Sequence, residues 1–492
     1  MFPNELLCGE SEIRTREPLL EVTRFPGVPL QPLEHLSFSP NQIGTANIII
    51  FPGTEKISSY LYAMKILIVL YALLASLSAG ASPCHGNKVI LGDERLEEYL
   101  NSLEGKRVAV FSNHSGIVGD KVKGSRLADD VRKNGITDKN SLIPFTEPSV
   151  PGGTIEYGPH LVDVLLEKGV DVRGIFSPEH GFRGTADAGE NVASGKDGKT
   201  GIDILSLYEK GSRIPGKDKM DRFDVLLVDI QDVGLRYYTY YISMLHLMDA
   251  CAKYGKKVII LDRPNPNGFY VDGPILDMEY KSGIGALPIC TVHGMTLGEL
   301  ALMINGEGWL EDGRKCDLEV IPCLNYSHGT KYSLIVPPSP NLKDMKSVYL
   351  YSSTCYFEGT AVTAGRGTLF PFEVYGHPAM KGYPFSFVPR SIPGAKKPRF
   401  LGEECFGVDL RGKPLESVWE EKINLEYVID AWRALGTGDE FFMSNGHFEL
   451  LAGVSWIRKM IESGCTAEEI SASWEGDVKA FEEMRKPYLL YE

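Results

Sequence analysis

Four short apolar runs, separated by helical patterns and each opening into polar side chains, constrain this chain more than any other feature. They are Arg107–Phe111, Val170–Phe176, Phe223–Ile230 and Lys257–Leu261. Between and around them, helices are expected over Glu94–Leu103, Ser125–Lys133, His160–Lys168 and Arg236–Tyr254. In the first of these, Leu96, Tyr99, Leu100 and Leu103 fall on one side; Gly169 follows the third as a C-terminal cap, and the fourth ends at Gly255. Short apolar strands alternating with helices imply a mostly parallel sheet covered on both faces. The crossover rules then make a doubly wound, Rossmann-like α/β layer the expected fold. In such a sheet every carboxyl end lies on one edge, where open α/β folds bind ligands. The four exits carry Asn113 and His114; Glu179 and His180; Asp229, Gln231 and Asp232; and Asp262, Arg263 and Asn265. They are expected to share a site.

The second exit is the most sharply shaped. Ile175–Gly184 ends an apolar run in Pro178, Glu179 and His180, closed by Gly181 and Gly184 around Phe182 and Arg183. Proline fixes its own φ and biases Ser177 towards extended geometry, while the glycines admit angles that other residues avoid. This holds a carboxylate and an imidazole on a turn at a strand end.

The second half is less regular. Thr296 and Glu299 have capping-box spacing before a helix to about Asn305. Strands are expected over Leu318–Ile321 and Ser347–Ser352, and helices over Glu426–Leu435 and Leu450–Glu462. A rigid Val336–Asn341 stretch and a glycine-rich tract carrying Glu358, Arg366 and Glu373 lie between them. A Rossmann-like domain over residues 82–285 and a smaller α/β domain over 286–492, completing a cleft, is the expected organisation.

Ahead of this, Met64-Lys65, an apolar stretch from Ile66 to Leu77 and the small residues up to Ala81 form a secretory signal pattern, with cleavage expected after Ala81. Its apolar core is shorter than the roughly 20 residues a membrane span needs. Met64 is then the expected start, residues 1–63 an upstream extension, and the product exported to the periplasm or secreted, without a stable membrane span. Cys84 admits lipid anchoring, although Pro83 suits that signal poorly. Disulfides are open to an exported chain, and the cysteines form no close C-x-x-C pair of the kind structural zinc sites use. A net charge of −14 excludes a general nucleic-acid binder, which needs a basic face.

The exits carry no G-x-G-x-x-G turn, phosphate-binding loop or G-x-S-x-G elbow. His114, His180 and His293 with Asp229 or Asp232 match no standard metal spacing. No cofactor and no metal are expected.

One ordered set of motifs remains: Ser-Pro-Glu-His-Gly-Phe-Arg-Gly (177–184), Asp-Val-Gly-Leu-Arg-Tyr-Tyr-Thr-Tyr (232–240), Leu-Asp-Arg-Pro-Asn-Pro (261–266) and His-Gly-Met-Thr-Leu-Gly-Glu-Leu-Ala (293–301). Pro-Pro-Ser-Pro-Asn (337–341), Glu-Gly-Thr (358–360), Gly-Arg-Gly-Thr (365–368) and Pro-Phe-Glu (371–373) continue it. From about Asp93 onward the chain resembles the exo-β-N-acetylmuramidases of bacterial cell-wall turnover, glycoside hydrolase family 171, long catalogued as a domain of unknown function. The resemblance implies a Rossmann-like domain plus a smaller α/β domain, with the site in the cleft between them. It also implies release of N-acetylmuramic acid from non-reducing ends of peptidoglycan fragments.

Glycoside hydrolysis commonly uses one carboxylic acid to protonate the leaving oxygen and a second carboxylate as base or nucleophile. Glu179 is the expected acid and His180 its orienting partner; Asp232 leads as second carboxylate, followed by Asp229, Glu358 and Glu373, unless the sugar's own acetamido group assists. Muramic acid carries a lactyl carboxylate, for which arginine is the natural fork-shaped partner. Arg183, Arg236, Arg263 and Arg366 are the candidates, with Tyr238 as a sugar-facing ring. Asn113, His114, Asp262, Asn265, His293 and Asn341 complete the expected binding set. Another hydrolase or deacetylase of cell-wall amino sugars, or a non-catalytic glycan-binding protein, stays open at this level.

Overall fold

The computed structural model describes residues 88–119, 122–123, 156–178, 182, 195–207, 214–436 and 440–492. The signal pattern, Cys84 and the helix expected at Ser125–Lys133 lie outside them. The first layer runs through β1 (Arg107–Ser112), β2 (Asp171–Ser177), β3 (Gly195–Lys196), β4 (Asp203–Ser206), β5 (Val225–Asp229), β6 (Lys257–Leu261), β7 (Asp272–Ile275), β8 (Cys290–Val292) and β9 (Asp317–Ile321). β7 and β8 pair as a separate antiparallel ladder. The other seven form one sheet in the order β9-β6-β5-β1-β2-β4-β3. Only β3, at the edge, runs antiparallel to its neighbour. Read from β4, the parallel strands follow the order 3-2-1-4-5-6 of dinucleotide-type folds, with the switch point between β1 and β5.

Alternation along the strands sorts the sheet into two cores. Val108, Val110, Val225, Leu227 and Ile259 face α1 (Leu96–Leu103) and α2 (Leu161–Glu167), meeting Tyr99, Leu103, Leu161 and Leu165. Ala109, Phe111, Leu226, Val228, Val258 and Ile260 face the other way, towards α3 (Tyr240–Tyr254) and α4 (Leu297–Gly306). Covering both faces explains why the strands read as unbroken apolar runs.

The second layer begins with α5 (Met345–Thr354). A three-stranded antiparallel sheet follows, with β10 (Val374–His377), β11 (Phe385–Phe387) and β12 (Cys405–Asp409) in the order β10-β12-β11. Among the described residues six helices close the chain: α6 (Leu415–Glu421), α7 (Glu426–Leu435), α8 (His447–Ala452), α9 (Trp456–Glu462), α10 (Ala467–Ala472) and α11 (Glu475–Arg485). The core beneath α3 continues without a break through Tyr351, Phe357, Phe372, Trp432 and Phe448, so the two layers share one apolar interior. β9 lies beyond the expected border at residue 285 and supplies the other edge of the first sheet. The described cysteines, Cys251, Cys290, Cys316, Cys323, Cys355, Cys405 and Cys465, are free thiols. Among the described residues no helix is long and apolar enough to cross a membrane.

Three local expectations need correction. Ser347–Ser352 is part of helix α5, not a strand; Asp344 caps it, accepting from Ser347 N at 2.9 Å. Ser347 to Thr354 are all buried, and a helix buried all round has no polar stripe to reveal its period. The helix expected from Arg236 starts at Tyr240. The single helix expected over Leu450–Glu462 is split at Gly453, whose φ is +77°.

Arg236 explains the last break. Its guanidinium is fully buried and donates to the carbonyls of Pro274 (2.7 Å), Ile289 (2.8 Å) and Ala452 (2.6 Å). A Cβ at Gly453 would lie 2.3 Å from Arg236 Nη2. Arg236 therefore ties the β7–β8 ladder to the end of α8 and is spent on structure. Replacing it with alanine leaves these carbonyls buried without donors, and we expect a loss of about 3–5 kcal/mol in urea unfolding. Stability within about 1 kcal/mol of the wild type would contradict this role.

Candidate active site

The switch point brings the exits of β1 and β5 together. Asn113 Oδ1 accepts from Ser115 N and Oγ at 2.9 and 2.6 Å, and Ser115 Oγ accepts from Gln231 N at 3.1 Å. Gln231 Nε2 then donates to the Pro264 carbonyl at 2.8 Å, drawing in the exit of β6. Asp232 sits inside this lacework. Its Oδ1 accepts from Gly234 N at 2.7 Å, while Oδ2 has no hydrogen bond among the described residues. Burial pushes its pKa up to about 7, against the backbone N–H groups of Gly234, Val233 and Tyr241, which favour the charge. This is a carboxyl that changes charge near neutrality.

Two side chains of the next segment reach the turn that precedes the second layer. Tyr238 and Tyr240 both donate their hydroxyls to the Pro338 carbonyl, at 2.8 and 3.1 Å. From the β1 exit, His114 Nε2 donates to the neighbouring Pro337 carbonyl at 2.8 Å. Beyond this turn lies a cavity of about 140 Å³, lined by Tyr238, Asn341, Tyr351, Glu358, Arg366 and Phe372 among others. Asn341 is fixed by donating Nδ2 to the Gly394 carbonyl at 2.9 Å. Asp232 stands close enough for its charge to help raise the Tyr238 pKa, after burial and Tyr240.

Arg366 is presented by a tight loop. Gly365 and Gly367 flank it with φ of +76° and +85°. A Cβ at Gly367 would lie 2.5 Å from Pro398 Cγ, so both conformation and space demand glycine there. Thr368 Oγ1 closes the turn on the Gly365 carbonyl at 2.7 Å. Arg366 Nε donates to Glu358 Oε1 at 2.5 Å; its two Nη groups make no hydrogen bond to a described residue. The arrangement offers a free guanidinium fork, a carboxylate and phenol rings around a small polar hollow, suited to a sugar bearing a negative group.

Other expected ligands are committed elsewhere. Arg263 is buried between Asp93 and Asp229, at 2.6 Å from each. Asp262 accepts from Thr296 Oγ1 (2.6 Å), Gly298 N (2.9 Å) and Tyr491 Oη (2.6 Å), anchoring the start of α4. Burial raises its pKa to about 6. Asn265 donates to the Met295 carbonyl at 2.9 Å and accepts from Asn267 N at 2.8 Å. His293 Nδ1 accepts from Met295 N at 3.2 Å, and burial lowers its pKa to about 3. Glu373 is buried near Lys343. Glu179, His180 and Arg183 lie outside the described residues. The cavity also has walls that sequence reasoning did not select, Tyr351 and Phe372. Tyr351 lies on a helix whose sequence shows no polar stripe and resembles a strand; for Phe372, the Pro-Phe-Glu motif is the available signal.

Two family models match the chain: Exo-beta-N-acetylmuramidase NamZ, N-terminal, over residues 150–346, and Exo-beta-N-acetylmuramidase NamZ, C-terminal, over residues 349–491. The peptidoglycan beta-N-acetylmuramidase NamZ of Bacillus subtilis is 34% identical over 438 residues, spanning 84% of this chain and 95% of that protein. A crystal structure of a DUF1343 family protein from Bacteroides fragilis is similar with a TM-score of 0.70 at 53% identity, covering 82% of this chain and 99% of the other. A second DUF1343 structure from that organism gives 0.59 at 25% identity over the same shares. The two family models meet at the head of α5, just after the Pro337–Pro338 turn, so the cavity is lined from both. The chain belongs to the exo-β-N-acetylmuramidase NamZ family.

Proposed function

We propose that this protein is an exo-acting glycoside hydrolase that releases N-acetylmuramic acid from the non-reducing ends of peptidoglycan fragments. The observation that carries the proposal is the relationship, over 84% of the chain, to a peptidoglycan β-N-acetylmuramidase. The cavity supports it: Arg366 offers its outer fork to the lactyl carboxylate, and Tyr238 and Asn341 line the space for the ring.

In this proposal Glu179 protonates the leaving oxygen and Asp232 is the second carboxyl. Positive charge develops on the sugar as the bond breaks, and an ionised Asp232 beside it lowers the barrier. Its folded-state pKa of about 7 lies above the ordinary 3.8. Its ionised fraction therefore grows as pH rises through 7, and so does its contribution to catalysis. The stability effect runs the other way: the proton-bound form favours folding below the unfolded pKa, and that contribution is lost as pH rises through 7. Asp232→Asn is expected to lose roughly 100-fold or more in kcat/KM on a chromogenic muramic-acid glycoside, and with it the limb near neutral pH. Its melting temperature at about pH 8 should equal or exceed that of the wild type. Near-normal turnover, or a wild-type profile flat through neutrality, would remove Asp232 from the role.

We also propose export, supported by the signal pattern at Met64–Ala81. Expression of the full chain in a bacterial host should yield an exported protein whose first residue is Ser82. A cytoplasmic product that retains residues 64–81 would contradict it.

A further inference from the structure

Phe372 holds a backbone conformation that its side chain disfavours. Its φ is +66°, in the left-handed region where a Cβ crowds the backbone and glycine is the usual occupant. The residue is buried and its backbone is clamped from both sides. Its N–H donates to the Ala364 carbonyl at 2.7 Å, and its carbonyl accepts from Thr354 Oγ1 at 3.1 Å. Strain of this kind persists where surrounding structure over-determines it, and it concentrates at ligand clamps.

What the ring touches gives the strain a purpose. Arg366 Cζ lies 5.0 Å from the centre of the Phe372 ring, within cation–π range. The same ring packs edge-on against Tyr351 at 4.6 Å, and all three side chains line the cavity. Among the described residues, the only hydrogen bond of the Arg366 side chain is the one from Nε to Glu358. A guanidinium tied at one nitrogen retains freedom to swing about that tie. An aromatic ring beside the guanidinium restricts that freedom.

We propose that Phe372 is a positioning residue. Its left-handed backbone sets its ring against Arg366, so that the outer fork of the guanidinium is preorganised in the cavity for the carboxylate of an acidic sugar. The inference rests on the functional reading above, in which Arg366 meets the lactyl group. Holding the fork in place before binding removes an ordering cost from each binding event. The effect therefore belongs in KM more than in kcat.

Two variants separate this role from ordinary packing. Phe372→Leu keeps most of the apolar volume and the backbone demand but removes the ring face; Phe372→Tyr keeps the face. With a chromogenic muramic-acid glycoside, Phe372→Leu should raise KM about tenfold while kcat stays within roughly threefold, and Phe372→Tyr should restore KM. In an Arg366→Ala background the leucine substitution should add nothing further, because the group it positions is gone. Independently of activity, the Arg366 Nε–H resonance, assigned by its loss in Arg366→Ala, should exchange faster with solvent in Phe372→Leu than in the wild type. If Phe372→Leu fails to fold, Phe372→Met removes the ring at similar volume and is read in the same way. An unchanged KM, full additivity with Arg366→Ala, or an unchanged Nε–H exchange rate would overturn the proposal. A wild-type protein that cleaves no muramic-acid glycoside would instead sink the functional reading, and the exchange measurement would still decide the role of Phe372.

Discussion

The site depends on one short turn. The carbonyls of Pro337 and Pro338 receive His114 from the end of β1 and the hydroxyls of Tyr238 and Tyr240 from the segment after β5. Prolines have no N–H to offer, so these carbonyls have to be satisfied from outside the turn, and the sheet edge supplies the donors. A carbonyl oxygen has two lone pairs, which is why two phenols can share Pro338. These bonds tie the switch point of the parallel sheet to the segment that leads into α5, Glu358 and the Arg366 loop. They add to the shared apolar core and to the Tyr237 hydroxyl on the Tyr351 and Ser352 carbonyls, which join the same two parts.

The buried charges divide by what satisfies them. Arg236 meets only backbone carbonyls, Arg263 is held between two carboxylates, and Asp262 accepts three hydrogen bonds. Each of these groups holds elements together. Arg366 differs by its place: it lines the cavity, and its two Nη groups make no hydrogen bond to a described residue.

Sequence alone carried the first layer well. Its strands are buried on both faces, so their apolar runs stand out, and glycines or polar exits mark their ends. The parallel edge follows from topology, which groups the exits that carry His114 and Asp232. Arginines are harder to sort: Arg236, Arg263 and Arg366 all sit in motif-like surroundings, and only tertiary partners separate the buried struts from the side chain that lines the cavity. Helix α5 escaped because a helix without a polar face has no visible period, and Tyr351 was lost with it. The strain at Phe372 also leaves no mark in composition, since an aromatic residue normally argues against a left-handed backbone.

Two β-glycosides that differ only in their terminal sugar, N-acetylmuramic acid or N-acetylglucosamine, test the central claim most directly. The purified protein should release free N-acetylmuramic acid with a kcat/KM roughly 100-fold or more above that for N-acetylglucosamine, because only the former offers a carboxylate to the guanidinium fork. Equal rates on the two glycosides, or release from neither, would contradict the account.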